Sequence, residues 1–120
     1  MTRWPEPELT NQVRDWFAGL GDKEYMAAAA AIDALWEGGP GLGRPLIGEV
    51  IDPEGRMTHL KEIRPLGTSV RIIFTFAPNR TPILLYAADK AGDWNAWYPR
   101  AIREAERLYE EYLQETGQKR

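Results

Sequence analysis

The sequence predicts an α+β fold in which an N-terminal helical hairpin and a C-terminal helix pack on a small antiparallel sheet. Apolar residues recur at helical spacing through the first 40 residues and again in the last third. From about residue 45 the pattern changes to the two-residue alternation of strands. Short turns separate these apolar runs, which favours antiparallel pairing of consecutive strands.

The first predicted helix has one apolar face at spacings of i, i+4, i+7, i+8 and i+11: Leu9, Val13, Trp16, Phe17 and Leu20. Gly19 and Gly21 bracket its end, and Asp22 is expected to cap a second helix. That helix runs through Ala27–Ala31, and its expected apolar stripe consists of Tyr25, Ile32, Leu35 and Trp36. Because the connection is short, the two helices should form an antiparallel hairpin.

Four strands are predicted between residues 46 and 88. Leu46–Asp52 is expected at a sheet edge, followed by His59–Arg64. Val70–Ala77 alternates, with Val70, Ile72, Phe74 and Phe76 on one face and Arg71, Ile73, Thr75 and Ala77 on the other. Ile83–Ala88 is apolar on both faces, as expected of a central strand.

The last third predicts an amphipathic helix that begins near Pro99, a residue tolerated only in a first helical turn. Its apolar face consists of Ala101, Ala105, Leu108, Tyr109, Tyr112 and Leu113. The 120 residues are enough for one hydrophobic core, so residues 1–120 are expected to form a single domain.

Composition limits the location and chemistry of this protein. The N-terminus carries no apolar signal segment, and no apolar run approaches the roughly 20 residues of a membrane span. The chain has no cysteine, which excludes disulfides and thiolate metal sites and agrees with a cytoplasmic location. The single histidine, His59, excludes a two-histidine ribonuclease mechanism and a histidine-rich metal site, so no metal or cofactor is expected.

The charge of −3 is distributed unevenly along the chain. Residues 1–55 carry four Lys and Arg against ten Asp and Glu, a net charge of −6, whereas residues 56–120 carry eleven against eight, a net charge of +3. Within residues 56–80, Glu62 is the only acid beside Arg56, Lys61, Arg64, Arg71 and Arg80. A polyanion would therefore bind the middle of the chain.

Candidate functional residues are the cations and aromatics expected on the sheet: Lys61, Arg64, Arg71, Lys90 and Tyr98. The strand of Arg71 buries its other face, so Arg71 must point away from that core. Gathered at one end of the sheet, such cations bind phosphate and stabilise charge that develops during its transfer. An equally simple interpretation is exposed cations that pair with acids on the helices.

Three aromatic residues precede the last helix. Rings beside cations are a common surface for stacking RNA bases, but aromatics at the entry to an amphipathic helix are more often core anchors. We expect core positions for Trp94 and Trp97 and a functional position for Tyr98.

Together these segments resemble the phage-related, HigB-like branch of the RelE/ParE toxin superfamily. The resemblance is carried by Leu60–Arg64, Val70–Phe76, Ile83–Lys90 and the segment from 94 to 98, with Val13–Trp16 and Gly41–Leu46 matching as well. It implies a microbial-RNase-like fold with a twisted sheet. Family members usually open with a clear strand, but Trp4–Pro7 is a poor strand former, so the first strand is expected to be short or lost.

The activity that the resemblance implies is metal-independent, ribosome-dependent cleavage of mRNA, in which the ribose 2′-hydroxyl attacks the adjacent phosphate. Lys61, Arg64 and Arg71 would then bind phosphate, and Lys90 and Tyr98 would lie at the same site, with proton transfer as the role of Tyr98. The implied set of surrounding RNA-binding residues is Arg56, His59, Arg80 and Trp94.

The implied partners are the ribosome with its mRNA and a helix-turn-helix antitoxin, through which the complex would bind operator DNA. Two alternatives remain open. The superfamily includes ParE-like poisons of DNA gyrase, which have no need of the Lys61, Arg71 and Tyr98 set. The acidic N-terminal half and Pro99, which restrains the backbone of Tyr98, are instead consistent with an inactive binding module of the same fold.

Overall fold

The computed structural model describes residues 4–92 and 96–119 and has an α+β architecture, as the sequence predicts. The elements in chain order are β1 (Glu8–Leu9), α1 (Asn11–Ala18), α2 (Asp22–Gly38), a 3₁₀ turn (Gly39–Gly41), β2 (Ile47–Glu49), β3 (Lys61–Ile63), β4 (Val70–Phe76), β5 (Pro82–Asp89) and α3 (Trp97–Thr116). No helix within these ranges combines the length and apolar character that crossing a membrane requires.

The five strands form one sheet in the order β1-β5-β4-β3-β2. Strands β2 to β5 form the antiparallel meander that the sequence predicts, with β2 at an edge. The expectation of a wholly antiparallel sheet is wrong at the other edge, where β1 runs parallel to β5 with Glu8 opposite Ile83. Pro7 cannot donate a backbone hydrogen bond, so the pairing extends over only two residues.

A bulge interrupts the pairing of β4 with β5. Phe74 lies opposite Leu84 and Ile73 lies opposite Tyr86, so Leu85 is an extra residue in β5. As a result Leu84 and Ala87, three residues apart, belong to the same core, although a regular strand would place them on opposite faces. The sequence contains no glycine that signals this bulge.

Each face of the sheet carries its own layer of helix. Helices α1 and α2 cover the face of Val70, Ile72 and Phe74, and α3 covers the face of Ile73 and Ala77. The predicted alternation of β4 is therefore confirmed. Burying both faces stabilises the sheet mainly through the hydrophobic effect, at about 25 cal/mol for each Å² of apolar surface removed from water.

The N-terminal helices differ from the prediction at their ends. Leu9 lies in β1, and α1 begins after Thr10, whose hydroxyl accepts a hydrogen bond from the backbone N–H of Val13. Gly21, not Asp22, is the cap of α2, and Asp22 lies in its first turn, where its charge favours the helix dipole.

The apolar stripe predicted for α2 is only partly buried. Ala28, Ala31 and Leu35 face the sheet, whereas Tyr25 is 50% exposed.

Helix α3 starts two residues before Pro99, so Trp97, Tyr98 and Pro99 all lie in its first turn. It ends at Gly117, which has a left-handed backbone conformation (φ 70°). Trp97 is 2% exposed, which confirms its predicted core position. Twenty residues of helix span about 30 Å.

Candidate active site

A buried carboxylate, Glu62, lies at the centre of the polar groups on the α3 face of the sheet. Glu62 is 1% exposed and lies opposite Ile73 of β4, a residue of the α3 core. Its Oε2 accepts a hydrogen bond from Nε of Arg64 at 2.9 Å and lies 2.8 Å from Nη2 of the same guanidinium, with which it forms an ion pair. Its Oε1 accepts a hydrogen bond from the hydroxyl of Tyr98 at 2.7 Å. These contacts satisfy a charge that would be costly to bury alone.

The guanidinium of Arg64 reaches Glu62 across the backbone of Gly48, which lies opposite Glu62 in β2. A Cβ at position 48 would lie 2.6 Å from Cζ of Arg64, inside the contact distance of two carbon atoms. Glycine is therefore required at this position for the Arg64–Glu62 ion pair to form as it does.

Lys90 and Tyr98 extend the hydrogen-bond network. Nζ of Lys90 donates to the hydroxyl oxygen of Tyr98 at 3.0 Å and lies 4.8 Å from the centre of its ring. Lys90 directly follows β5, and Tyr98 is held by an edge-to-face contact with the buried ring of Trp97, 5.0 Å between centres. The network thus runs from Arg64 through Glu62 and Tyr98 to Lys90.

Arg71 lies on the same face but outside this network. It lies opposite Ala88 in the sheet, and its Nη1 donates to the backbone oxygens of Val70 at 2.7 Å and of Thr68 at 3.3 Å. Its Nε is buried and has no hydrogen-bond partner, and none of the carboxylates in the described ranges forms an ion pair with it. Arg71 therefore retains hydrogen-bonding capacity for an anion.

The surroundings change the proton affinities of both titratable groups beside Arg71. Burial lowers the pKa of Lys90, and the positive charge of Arg71 lowers it further, whereas Glu62 opposes this effect. Burial and the hydrogen bond to Glu62 raise the pKa of Tyr98 to about 12. At neutral pH, Tyr98 therefore carries its proton, and Lys90 is a stronger acid than an ordinary lysine.

Asp89 adds an anion near the site. The hydroxyl of Ser69 donates to its Oδ1 at 2.6 Å, as does the backbone N–H of Ala91 at 2.9 Å. These hydrogen bonds lower the pKa of Asp89, with a smaller contribution from Arg71. Asp89 thus remains charged and shapes the turn that carries Lys90.

Three of the five predicted catalytic residues, Arg64, Lys90 and Tyr98, are joined by the network, and Arg71 lies close enough to alter the pKa of Lys90. Lys61 is not brought to this cluster. It lies opposite Phe74, a residue of the other core, and residues directly opposite in a sheet share a face. The expectation that Lys61 joins Arg64 is wrong because adjacent strand positions alternate: Glu62 and Arg64, not Lys61, face α3.

Three of the four predicted RNA-binding residues lie apart from the network. Arg56 is exposed and pairs with Glu54 and with Glu106 of α3, 3.3 Å away. His59 precedes β3 in a left-handed conformation, so it lies outside the strand predicted for it. Arg80 lies in the β4–β5 turn, 5.2 Å from the ring of Trp4, at the opposite end of β4 from Arg71. Trp94 falls outside the described residues.

Two residues of the site, Glu62 and Gly48, were not predicted from the sequence. A signal for Glu62 was present, because it is the one acid between residues 56 and 80 and lies within a predicted strand. Nothing in the sequence around Gly48 indicates its importance, since Gly48 matters only because the Arg64 side chain from the neighbouring strand lies over it. Within the described ranges, no three His, Asp or Glu side chains lie close enough together to hold a metal ion.

Comparison with known proteins gives matches along most of the chain. Residues 15–110 match a family described as "Phage derived protein Gp49-like". The protein "Putative toxin HigB3" of Mycobacterium tuberculosis (strain ATCC 25618 / H37Rv) is 43% identical over 105 residues, which cover 88% of this chain and 90% of that protein. "Putative toxin HigB2" of the same organism is 39% identical over 105 residues, which cover 85% of this chain and 51% of that protein.

Proposed function

Because this chain belongs to the phage-derived Gp49-like family and is a HigB-like toxin, we propose that it inhibits translation by cutting mRNA on the ribosome. It would be the toxin of a type II toxin–antitoxin pair, with a helix-turn-helix antitoxin as partner. The observation that carries the proposal is the group of Arg64, Arg71 and Lys90 around the Glu62–Tyr98 hydrogen bond.

The scissile phosphate is proposed to bind between Arg71 and Lys90. Arg64 is already held by Glu62, whereas Arg71 has a buried Nε without a partner and no carboxylate among the described residues as counter-ion. Arg71 as a whole is partly exposed, so a phosphate group could approach its guanidinium and supply the missing counter-charge. Arginine binds such oxygens through charge-assisted hydrogen bonds, so Arg71 would contribute most to phosphate binding.

The ribose 2′-hydroxyl is proposed to lose its proton through Tyr98. Since the pKa of Tyr98 is about 12, its hydroxyl is protonated at neutral pH and cannot act as a base by itself. Its hydroxyl already donates to Glu62, so it can accept the substrate proton while passing its own to that carboxylate. Glu62 would then be the acceptor of the proton, and Arg64 would hold Glu62 in position.

Lys90 is proposed to protonate the leaving group. As the bond from the 2′-oxygen to phosphorus forms, the bond from phosphorus to the 5′-oxygen breaks, and the 5′-oxygen takes a proton from the ammonium of Lys90. The lowered pKa of Lys90 makes this transfer easier than from an ordinary lysine. The products are a 2′,3′-cyclic phosphate and a free 5′-hydroxyl, and exchange with water restores both protein groups.

We also propose contacts of this protein outside the cleavage site. Arg56, His59, Arg80 and Trp94 would contact ribosomal RNA or mRNA. The toxin–antitoxin complex would bind operator DNA through the antitoxin. Action on the ribosome requires that the toxin work in the cytoplasm.

Inducible expression in a bacterial host, with wild type beside Arg71→Ala, tests the proposal. We expect growth arrest with new 5′ ends inside translated messages, both lost in the variant, which must remain folded by circular dichroism. Arrest without new mRNA ends would favour a gyrase poison, and DNA damage would then be the expected response. A harmless wild-type protein would favour an inactive binding module. Each of these two results contradicts the nuclease proposal.

A further inference from the structure

An apolar groove lies between α1 and α2, on the part of α2 that does not face the sheet. Its volume is about 460 Å³, within the range typical of ligand sites. Phe17 forms one side, and Tyr25, Ile32 and Trp36 form the other, while Glu6 and Pro7 of the N-terminal segment close one end. Tyr25 is 50% exposed, so this surface is open to solvent.

The groove has the dimensions of a short helix. From Tyr25 to Trp36, α2 presents Tyr25, Ala29, Ile32, Asp33 and Trp36 to the groove, a spacing of i, i+4, i+7, i+8 and i+11. These twelve residues extend about 16 Å from the first to the last, which is three helical turns. A partner helix of similar length could pack its apolar side chains against this row, as an amphipathic helix does when it binds in an apolar groove.

The charged residues around the groove are mostly acidic, which favours a positively charged partner. Asp33 and Glu6 lie at its border, and a second cavity of about 700 Å³ adjoins it on the other side of Glu6 and Pro7. That cavity is lined by four acids, Glu6, Glu8, Glu111 and Glu115. Arg14 is the only cation that lines either cavity among the described residues, and it donates to Asn11 and to the backbone oxygen of Leu9.

We propose that this groove, with its acidic border, binds a basic amphipathic helix of a partner protein. Apolar side chains of the helix would fill the groove, and its Lys and Arg would lie towards Asp33 and Glu6. Charge complementarity of this kind favours cationic partners and excludes anionic ones. The inference does not rest on the nuclease proposal, since the groove lies on α1 and α2, whereas Glu62 and Tyr98 lie on the face of the sheet that α3 covers.

The test uses the full chain and three synthetic twelve-residue peptides. The first is a leucine–lysine peptide with helical amphipathic spacing, the second replaces every lysine by glutamate, and the third is a scrambled leucine–lysine peptide without an apolar face. Binding is measured by calorimetry, and the contact surface is mapped by backbone amide shifts in NMR spectra. We expect the first peptide to bind with shifts along α1 and α2, and the other two to bind at least tenfold more weakly.

Two charge reversals make the test specific. Asp33→Lys, at the border of the groove, should weaken binding of the first peptide about fivefold, because an exposed attraction is replaced by a repulsion. Asp15→Lys is the matched control, since Asp15 is exposed on α1 and lines neither cavity. Equal effects of the two variants, equal binding of the glutamate peptide, or shifts confined to other surfaces would each overturn the proposal.

Discussion

Nζ of Lys90 lies 3.0 Å from the hydroxyl oxygen of Tyr98, and that hydroxyl lies 2.7 Å from Oε1 of Glu62. A cation and an anion are thus joined through a neutral phenol in a largely buried position. Hydrogen bonds in such surroundings are stronger than in water, and a missing partner is costly. This chain of hydrogen bonds provides the proposed route for proton transfer. It also makes the site sensitive to the substitution of any one of the three residues.

Replacement of Lys90 by arginine distinguishes its role as a positive charge near the phosphate from its role as the proton donor to the leaving group. Lys90→Arg keeps a cation near the phosphate, but a guanidinium does not release its proton at neutral pH. We expect mRNA cleavage to fall by about 10²-fold or more, while ribosome binding changes little. In vitro cleavage on programmed ribosomes and a sedimentation assay of binding measure the two effects. If the variant cleaves as fast as wild type, Lys90 is not the acid.

Replacement of Glu62 by glutamine tests the origin of the raised pKa of Tyr98. Glu62→Gln keeps the shape of the side chain but removes the negative charge and the carboxylate hydrogen bond, two of the causes that raise this pKa. We therefore expect the pKa of Tyr98 to fall below about 12, measured from the chemical shift of its ring carbon during titration.

The matched control for Glu62→Gln is Tyr112. The pKa of Tyr112 is also raised to about 12, by burial and by Glu8, and Tyr112 lies near the other end of α3. In Glu62→Gln it should titrate as in wild type. An unchanged Tyr98 beside an unchanged Tyr112 would show that burial alone raises the pKa of Tyr98.

Substitution of Gly48 by alanine tests the space that Arg64 occupies. An alanine in a strand is normally stabilising by roughly 0.5–1 kcal/mol relative to glycine. Here the added Cβ would meet the guanidinium of Arg64, so we expect a loss of about 1–3 kcal/mol in the free energy of unfolding. Gly43→Ala is the control, because a Cβ there has no neighbour within 4 Å. Denaturant unfolding measures both variants, and equal effects would contradict the packing argument.

Stability at alkaline pH should depend on Tyr98. Its folded pKa of about 12 exceeds the ordinary value of 10.0, so the folded state keeps a proton that the unfolded chain releases. Stability from this group is therefore full below pH 10 and decreases as pH rises towards about 12. Lys90 has the opposite sign, because its pKa is lowered in the folded state: its contribution grows with pH until about 10.5.

The midpoint of denaturant unfolding, measured from pH 9 to 11.5, checks this expectation. Wild type should lose stability most steeply above pH 10.5, where only the tyrosine effect remains, and Tyr98→Phe should flatten the curve. Tyr112→Phe should flatten it as well, because the pKa of Tyr112 is also raised to about 12. A slope that neither variant changes would mean that other groups dominate alkaline unfolding.

Periodicity alone predicted the helices, the meander and the alternation of β4, because side-chain burial on a helix or strand follows the local spacing of apolar residues. Periodicity did not predict features that depend on which strand lies next to which. The parallel pairing of Glu8 with Ile83 joins residues 75 positions apart, and no local pattern records it. The same limit applies to the site: the identity of Arg71 as a cation facing α3 was predictable, but the ion pair of Arg64 over Gly48 was not.

The extra residue Leu85 decides which layer of the protein Lys90 belongs to. If Leu85 instead paired regularly with Ile73, the pairing that starts at Phe74 and Leu84 would continue in step, and Arg71 would lie opposite Ala87 instead of Ala88. Lys90 would then extend from the sheet towards α1 and α2, away from Tyr98. The bulge in β5 therefore sets the parity of the strand: with regular pairing every side chain would still be present, but the lysine would lie on the wrong side of the sheet from its tyrosine.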